Sequence, residues 1–166
     1  MTLTIPRTWV VGEVVTAAIM NAEIRAQFDS LIAAQTSYIP AWTGTGVAIG
    51  NGIINGRYSL VGKNCVATVE MVFGTTSTVG SGAYSWSLPF LAASPSGSSA
   101  NFVYCGAARG HAANWYGGTA VAFKGLAIAK IYNSASSAAE WGAAVPVAWA
   151  AAATNYIHFT IPYEIA

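Results

Sequence analysis

Apolar side chains recur at helical spacing in one part of the chain, residues 16–35. Thr16 is a suitable N-cap for this helix, and the apolar stripe that follows is formed by Met20, Ile24, Phe28, Leu31 and Ile32. The positions that alternate four and three apart, as in a coiled-coil seam, are Ala17, Asn21, Ile24, Phe28, Leu31 and Gln35. The pattern therefore leaves two alternatives open: a trimer or attachment helix that uses Ile24, Phe28 and Leu31, or a helix packed on its own domain.

From residue 38 onward, apolar residues alternate with polar or small ones, and turns rich in Gly, Asn and Ser separate the runs. We predict strands at 39–43, 53–61, 65–73, 82–88, 101–108, 118–124, 126–132 and 155–164, with weaker candidates at 46–49 and 145–149. The stretches 93–101 and 133–142 are typical of surface loops. So many short antiparallel strands predict a mainly β fold, an antiparallel β-sandwich or jelly roll, with a short N-terminal α-helix. We divide the chain into an N-terminal arm and helix, 1–37, and a β-sandwich head domain, 38–166.

The composition suggests that much of the β domain is covered by other chains. Apolar residues make up 54% of the sequence and charged residues 8%, against about 25% charged in a typical globular domain. Five of the thirteen charged side chains fall in the first 29 positions, so only eight are spread over the remaining 137 positions. Uncharged surfaces of this kind are used in contacts between subunits, and we expect self-association.

Charge and hydropathy exclude two classes of partner. The net charge of +1 provides no basic surface for nucleic acid. The longest apolar runs, such as "AAVPVAWAAAA", are interrupted by Pro146 and are too short to insert into a membrane. The opening "MTLTIPRTWVVGEVV" is interrupted by Glu13, and we expect no signal peptide.

The two cysteines lie in apolar runs that resemble strands. Cys65 and Cys105 are therefore expected to be buried free thiols. A bridge between them requires a distance that the sequence does not give. Two cysteines and two distant histidines do not form a metal-ligand pattern, and we predict neither a metal site nor a cofactor.

No arrangement of residues indicates catalysis. The carboxylates of the β domain, Glu70, Glu140 and Glu164, are scattered singly, and this domain contains no Asp. No nucleophile-elbow or phosphate-binding motif is present. We predict that the protein is not an enzyme, with no catalytic residues. A polysaccharide hydrolase that uses Glu70 or Glu140 is the remaining enzymatic alternative.

A candidate binding site lies in the stretch "RGHAANWYGG". Here Trp115 and Tyr116 are flanked by Gly and lie near Arg109 and His111 in the sequence. Aromatic rings beside cationic and hydrogen-bonding groups are suited to bind a sugar or a peptide. The alternative is a hairpin tip that packs on its own strand or on a neighbouring subunit.

Several segments resemble one family. The opening "TWVVGEVVTAAIMNAEIRAQFDSLIAA" is similar to the start of structural proteins of tailed phages and prophages of actinobacterial hosts. The shared features are a Trp, a Gly, "VTAA", Met-Asn and a short helix carrying an Arg. The segment "GRYSLVGKNCVATVEMVFGTTSTVGSGAYSWSLPF" resembles the β hairpin and "SLP" strand of that family, and the ending "YEIA" matches as well.

The resemblance implies a virion structural protein of the minor tail, tail-fibre or head-decoration type. Its head would be a trimeric jelly roll like those of tumour necrosis factors, located on the virion surface after assembly in the host cytoplasm. The implied partners are two further copies of the chain, capsid or tail proteins of the virion and, for a tail-fibre tip, a host cell-surface glycan. A lectin-like carbohydrate-binding module outside any virion is the principal alternative.

Overall fold

The helix begins where the cap residue predicts. The protein is described by a computed structural model that covers residues 7–134 and 139–166, so the first six residues of the predicted arm and residues 135–138 of the predicted loop lie outside the described residues. Helix α1 (Ala17–Met20), a π-helical segment (Asn21–Arg25) and helix α2 (Ala26–Ile32) follow one another without a break; together they are called the N-terminal helix. Thr16 Oγ1 accepts a hydrogen bond from the Ile19 N–H at 3.3 Å, as expected of an N-cap. Within the described part of the chain, no helix is long and apolar enough to cross a membrane.

The remainder of the protein is an antiparallel sheet. Its strands are β1 (Thr36–Tyr38), β2 (Trp42–Ala48), β3 (Ile53–Val61), β4 (Asn64–Val72), β5 (Thr78–Ser87), β6 (Val103–Ala112), β7 (Asn114–Phe123), β8 (Ile128–Asn133) and β9 (Tyr156–Glu164). They lie in the order β1-β3-β4-β9-β6-β7-β8-β5-β2. The chain is therefore mainly β with a short N-terminal helix, as predicted, and the curled antiparallel sheet is consistent with a sandwich of the jelly-roll type.

The sheet curls because its two edge strands are close in sequence. Only residues 39–41 separate β1 from β2, and Pro40 in this link is fully buried. The rings of Trp42 in β2 and Phe73 just after β4 lie 5.7 Å apart, so side chains from distant strands meet inside the curl. The largest fully buried side chains of this core are Trp86, Trp141, Tyr84, Phe73, Phe159 and Met71.

Two of the predicted strands need correction. The predicted strand 39–43 is wrong over most of its length, because residues 39–41 form the link between β1 and β2 and only Trp42 and Thr43 lie in a strand. The weak candidate 145–149 is not a strand. Val145 pairs only with Gly142 in an isolated bridge, and Trp149 packs with its ring 5.5 Å from that of Phe73. The alternation of apolar residues in this segment reflects a loop that crosses the core.

The two thiols are free and differ in accessibility. Cys65 is buried and Cys105 is exposed, so the expectation that both are buried is wrong for Cys105. Burial raises the pKa of the Cys65 thiol, although its hydrogen bond with Tyr163 opposes this. Both effects of burial, exclusion of the reagent and loss of thiolate, slow modification of Cys65.

We therefore expect a thiol reagent to modify no more than one cysteine in the native protein. Cys65 should react only when the protein unfolds. Titration with a chromogenic disulfide, in buffer and in denaturant, measures the number of thiols that react and their rates. Rapid reaction of two equivalents in the native protein would contradict the placement of Cys65.

Candidate functional site

Three aromatic side chains form a cross-strand row on the outer face of the sheet. Tyr156 in β9 pairs with His111 in β6, and His111 pairs with Trp115 in β7. Because side chains alternate along a strand, the neighbours of these residues, such as Ile157 and Ala112, point into the core. The next row toward the centre of the strands pairs His158 with Arg109.

These residues touch one another. The guanidinium carbon of Arg109 lies 3.8 Å from the centre of the Trp115 ring, a cation–π contact. The His111 ring is 5.0 Å from that of Trp115 and stacks on Tyr156 at 5.6 Å with an interplanar angle of 17°. We call Arg109, His111, Trp115 and Tyr156 the aromatic cluster.

Backbone geometry fixes the position of the aromatic cluster. His111 Nδ1 lies 3.1 Å from the carbonyl oxygen of Thr154; since a carbonyl can only accept, Nδ1 donates, and Nε2 of the neutral ring is left as an acceptor. The turn between β6 and β7 is formed at Ala113, which has φ 63°. A left-handed Ala costs about 1–2 kcal/mol, and such strain is often found at functional sites.

Two recesses lie beside the cluster and share one carboxylate. The first has a volume of about 400 Å³, and its lining includes His111, Trp115, Tyr156 and Glu70. The second, of about 240 Å³, is lined by Glu70 together with Gln35, Asn55, Arg57, Thr68 and His158. Glu70 therefore connects them on the outer face of the sheet.

The structure brings together three of the four predicted binding residues. Arg109, His111 and Trp115 belong to the aromatic cluster, whereas Tyr116, the next residue along β7, points to the opposite face. Tyr116 is half-buried, with its ring 6.5 Å from that of Trp149. Sequence reasoning did not place Tyr156, Glu70 or His158 in this site, because their approach depends on the pairing of β9 with β4 and β6.

The carboxylates of the β domain are not combined into a pair in these recesses. Glu140 instead accepts hydrogen bonds from Lys130 at 3.0 Å and from Tyr132 at 2.8 Å. Burial alone would raise the pKa of Glu140, but these two hydrogen bonds and the Lys130 charge lower it overall. Burial, reinforced by Glu140, raises the pKa of Tyr132 to about 12. Over residues 7–134 and 139–166, no group of His, Cys, Asp or Glu is arranged to hold a metal ion.

A second candidate surface is the N-terminal segment, residues 7–35. None of the residues in its helix is buried, and Ile24, Phe28 and Leu31 are all exposed; Phe28 is 63% exposed. The exposed apolar side chains of the preceding arm are Trp9, Val10, Val11, Val14 and Val15. The helix thus does not cover its apolar stripe with its own domain.

The charges of the N-terminal segment are satisfied within the segment itself. Arg7 forms an ion pair with Glu13, and its backbone N–H donates to Glu23 at 3.2 Å. Arg25 and Asp29 form an ion pair at 3.6 Å. The charged groups are thus paired to one another, and the segment also exposes the apolar side chains named above.

The aromatic cluster and the end of the N-terminal helix lie at opposite ends of the strands, although Gln35 of the N-terminal segment lines the second recess. The end of the helix, near Leu31, borders Ser59 and Val61 at one end of β3. Ile53 at the other end of β3 lies in the row that continues through Val72, Tyr156, His111 and Trp115. Residues 53 and 61 are roughly 25 Å apart at about 3.3 Å per residue.

No family model matches the chain, and neither the curated proteins nor the solved structures contain a match.

Proposed function

We propose that the protein is a homotrimeric structural protein on the surface of a tailed-phage virion, attached to the particle through its N-terminal segment. The observation that carries this proposal is the apolar surface of that segment, which stays exposed although its charges pair internally. An exposed apolar surface of this extent marks an interaction site. The assignment to a virion rests on the resemblance of the opening segment and of the β hairpin to phage structural proteins.

The trimer contact is placed on an uncharged part of the sheet, which we call the neutral face. It is formed by the outward residues of three adjacent strands, Val66, Thr68, Ala107, Thr160 and Pro162. Thr68 and Thr160 satisfy each other through a hydrogen bond of 3.0 Å between their hydroxyl groups. A surface without unpaired charge can be buried between subunits at low desolvation cost.

A measurement of mass in solution tests the trimer. We expect three times the chain mass of 17.1 kDa. Ala107→Arg should give a monomer, because three copies of a new cation would be buried without partners. Light scattering coupled to size-exclusion chromatography distinguishes the two states.

The matched control is Ala148→Arg, which adds the same side chain at an exposed loop position. This variant should remain trimeric. A wild-type monomer at micromolar concentration would refute the trimer, and dissociation of both variants would refute the neutral face as the contact.

The position on the particle distinguishes a capsid decoration from a tail-fibre or tail-tip head. The helix ends at Ile32 and β1 begins at Thr36, so no shaft separates the attachment segment from the β domain. This arrangement favours a short decoration or a tip close to the baseplate. Electron microscopy of particles carrying a gold-labelled chain would locate it.

The lectin-like alternative is favoured by one specific observation, the aromatic cluster beside an open recess. It concerns a different surface from the attachment segment, and the two functions are compatible in one protein. No catalytic step is proposed, and the absence of enzymatic activity stays a prediction.

A further inference from the structure

We propose that the recess beside Trp115 binds a neutral hexopyranose, either as a single sugar or within a polysaccharide. This proposal rests on the proposed function, because it names the kind of host ligand that a virion surface protein would bind. The residues that form the sugar site are different from those proposed for attachment. It rests on the aromatic cluster, on Glu70 and on the position of the recess.

Trp115 offers accessible indole surface. The residue is 55% exposed, although Arg109, His111 and Tyr156 all contact its ring. Part of the aromatic surface is therefore open to a ligand. The C–H groups on one side of a pyranose ring form an apolar surface that can pack on it.

The aromatic cluster is held in place before any ligand arrives. The rings of His111, Trp115 and Tyr156 contact one another in every pair, and the hydrogen bond from His111 to the Thr154 carbonyl oxygen fixes the imidazole plane. Arg109 restrains the indole through its cation–π contact. A preorganised site loses little side-chain freedom on binding, which is important for a small ligand with few contacts.

The polar groups around the recess match hydroxyl groups rather than a charged ligand. Among the described residues, the Glu70 side chain makes no hydrogen bond or ion pair, and its carboxylate can only accept. His111 Nε2 also accepts in the neutral ring. Sugar hydroxyls can donate to both groups. An acidic sugar would instead meet the Glu70 carboxylate in a partly apolar recess, where like charges repel strongly.

The size of the site suits a sugar. A recess of about 400 Å³ lies within the range of about 300–1,000 Å³ that small-molecule sites occupy. The second recess continues from Glu70 toward Arg57 and His158, but its lining also includes Thr68 of the neutral face. Only the first recess is therefore assigned to the sugar.

The recess lies at the end of the strands opposite the N-terminal segment. A protein attached through that segment leaves Trp115 facing away from the particle. The neutral face begins one cross-strand row beyond Glu70, His158 and Arg109, so self-association does not need to cover Trp115.

The test is a titration of the full chain with D-glucose, D-galactose, D-mannose and their short oligosaccharides, followed by calorimetry and saturation-transfer NMR. We expect binding of at least one neutral sugar, with saturation transfer to its ring C–H protons. Trp115→Ala should weaken binding by about tenfold or more, equivalent to about 1.4 kcal/mol, and Trp115→Phe should restore part of it. Trp9→Ala, which removes an indole of similar exposure (45%) from the N-terminal segment, should have no effect.

Glu70→Gln determines the class of sugar. For a neutral sugar, binding should weaken, because half of an acceptor-only group becomes a donor. Stronger binding of sialyllactose or glucuronic acid by Glu70→Gln, without binding of neutral sugars, would overturn the proposed class. Absence of sugar binding, or equal binding by wild type and Trp115→Ala, would overturn the site. Since attachment to particles is measured separately, with a substitution of the exposed Leu31 in the N-terminal helix, failure of one proposal does not affect the other.

Discussion

Replacing Trp141 with Ala is expected to reduce the free energy of unfolding by about 3–5 kcal/mol. Trp141 is fully buried and fills space that two glycines leave open. A Cβ atom added at Gly110 or at Gly118 would each lie 2.9 Å from the indole ring, so neither position has room for a side chain beside Trp141. The indole N–H has no hydrogen-bond partner in the described chain, and its removal therefore costs apolar contact and leaves a cavity.

Chemical denaturation followed by circular dichroism measures this loss, at one fixed protein concentration because the proposed self-association would contribute to stability. The matched control is Trp115→Ala, which removes the same side chain from an exposed position and should change the free energy of unfolding by less than about 0.5 kcal/mol. Equal destabilisation by the two variants would place Trp115 in the core and remove the basis for its role in binding.

Local sequence signals were sufficient for the elements that form through neighbouring residues. The cap at Thr16, the hairpin of β3 and β4, and the alternation along β9 all depend on contacts within a short stretch. Alternation and the turns rich in Gly, Asn and Ser also indicated a mainly β domain. These parts of the fold could be predicted because the intrinsic propensity of the residues and the spacing of the apolar positions indicate the same element there.

The candidate site could be predicted only in part because it depends on which strands become neighbours. Glu70, His158 and Arg109 belong to β4, β9 and β6, and they share a row because β9 lies between the other two strands. A single sequence contains no signal for this order, since alternation fixes the face of a strand but not its partner.

A more accurate start for strand β7 would have separated Trp115 from Tyr116 in the predicted site. The predicted strand began at 118, which left both rings in one loop, whereas β7 begins at Asn114. Adjacent residues of a strand point to opposite faces, so the two rings cannot share a site. The turn at Ala113 decides which of them faces outward, and a left-handed Ala is a conformation that the sequence does not indicate.

Deletion of residues 1–35 is expected to abolish attachment to virus particles while leaving the β domain folded. Every side chain of the buried core belongs to the β domain; the first fully buried one in the described chain is that of Pro40. The deletion therefore removes no core contact and ends just before β1. Circular dichroism should show an unchanged sheet signal, and the truncated chain should stay in the supernatant when particles lacking this protein are sedimented.

A substitution in the full chain tests the same idea without altering its length. Leu31→Glu places a charge on the apolar stripe of the N-terminal helix, where Leu31 is 48% exposed, and burial of that charge against a partner would cost several kcal/mol. Attachment should fall by at least two orders of magnitude, because about 2.7 kcal/mol already corresponds to a hundredfold. The matched control, Leu126→Glu, changes a leucine of 47% exposure on the β domain and should attach as the wild type does. If the truncated chain or Leu31→Glu still sediments with particles, the apolar stripe is not the attachment surface, and the exposed side chains of the helix must be covered by another copy of the chain.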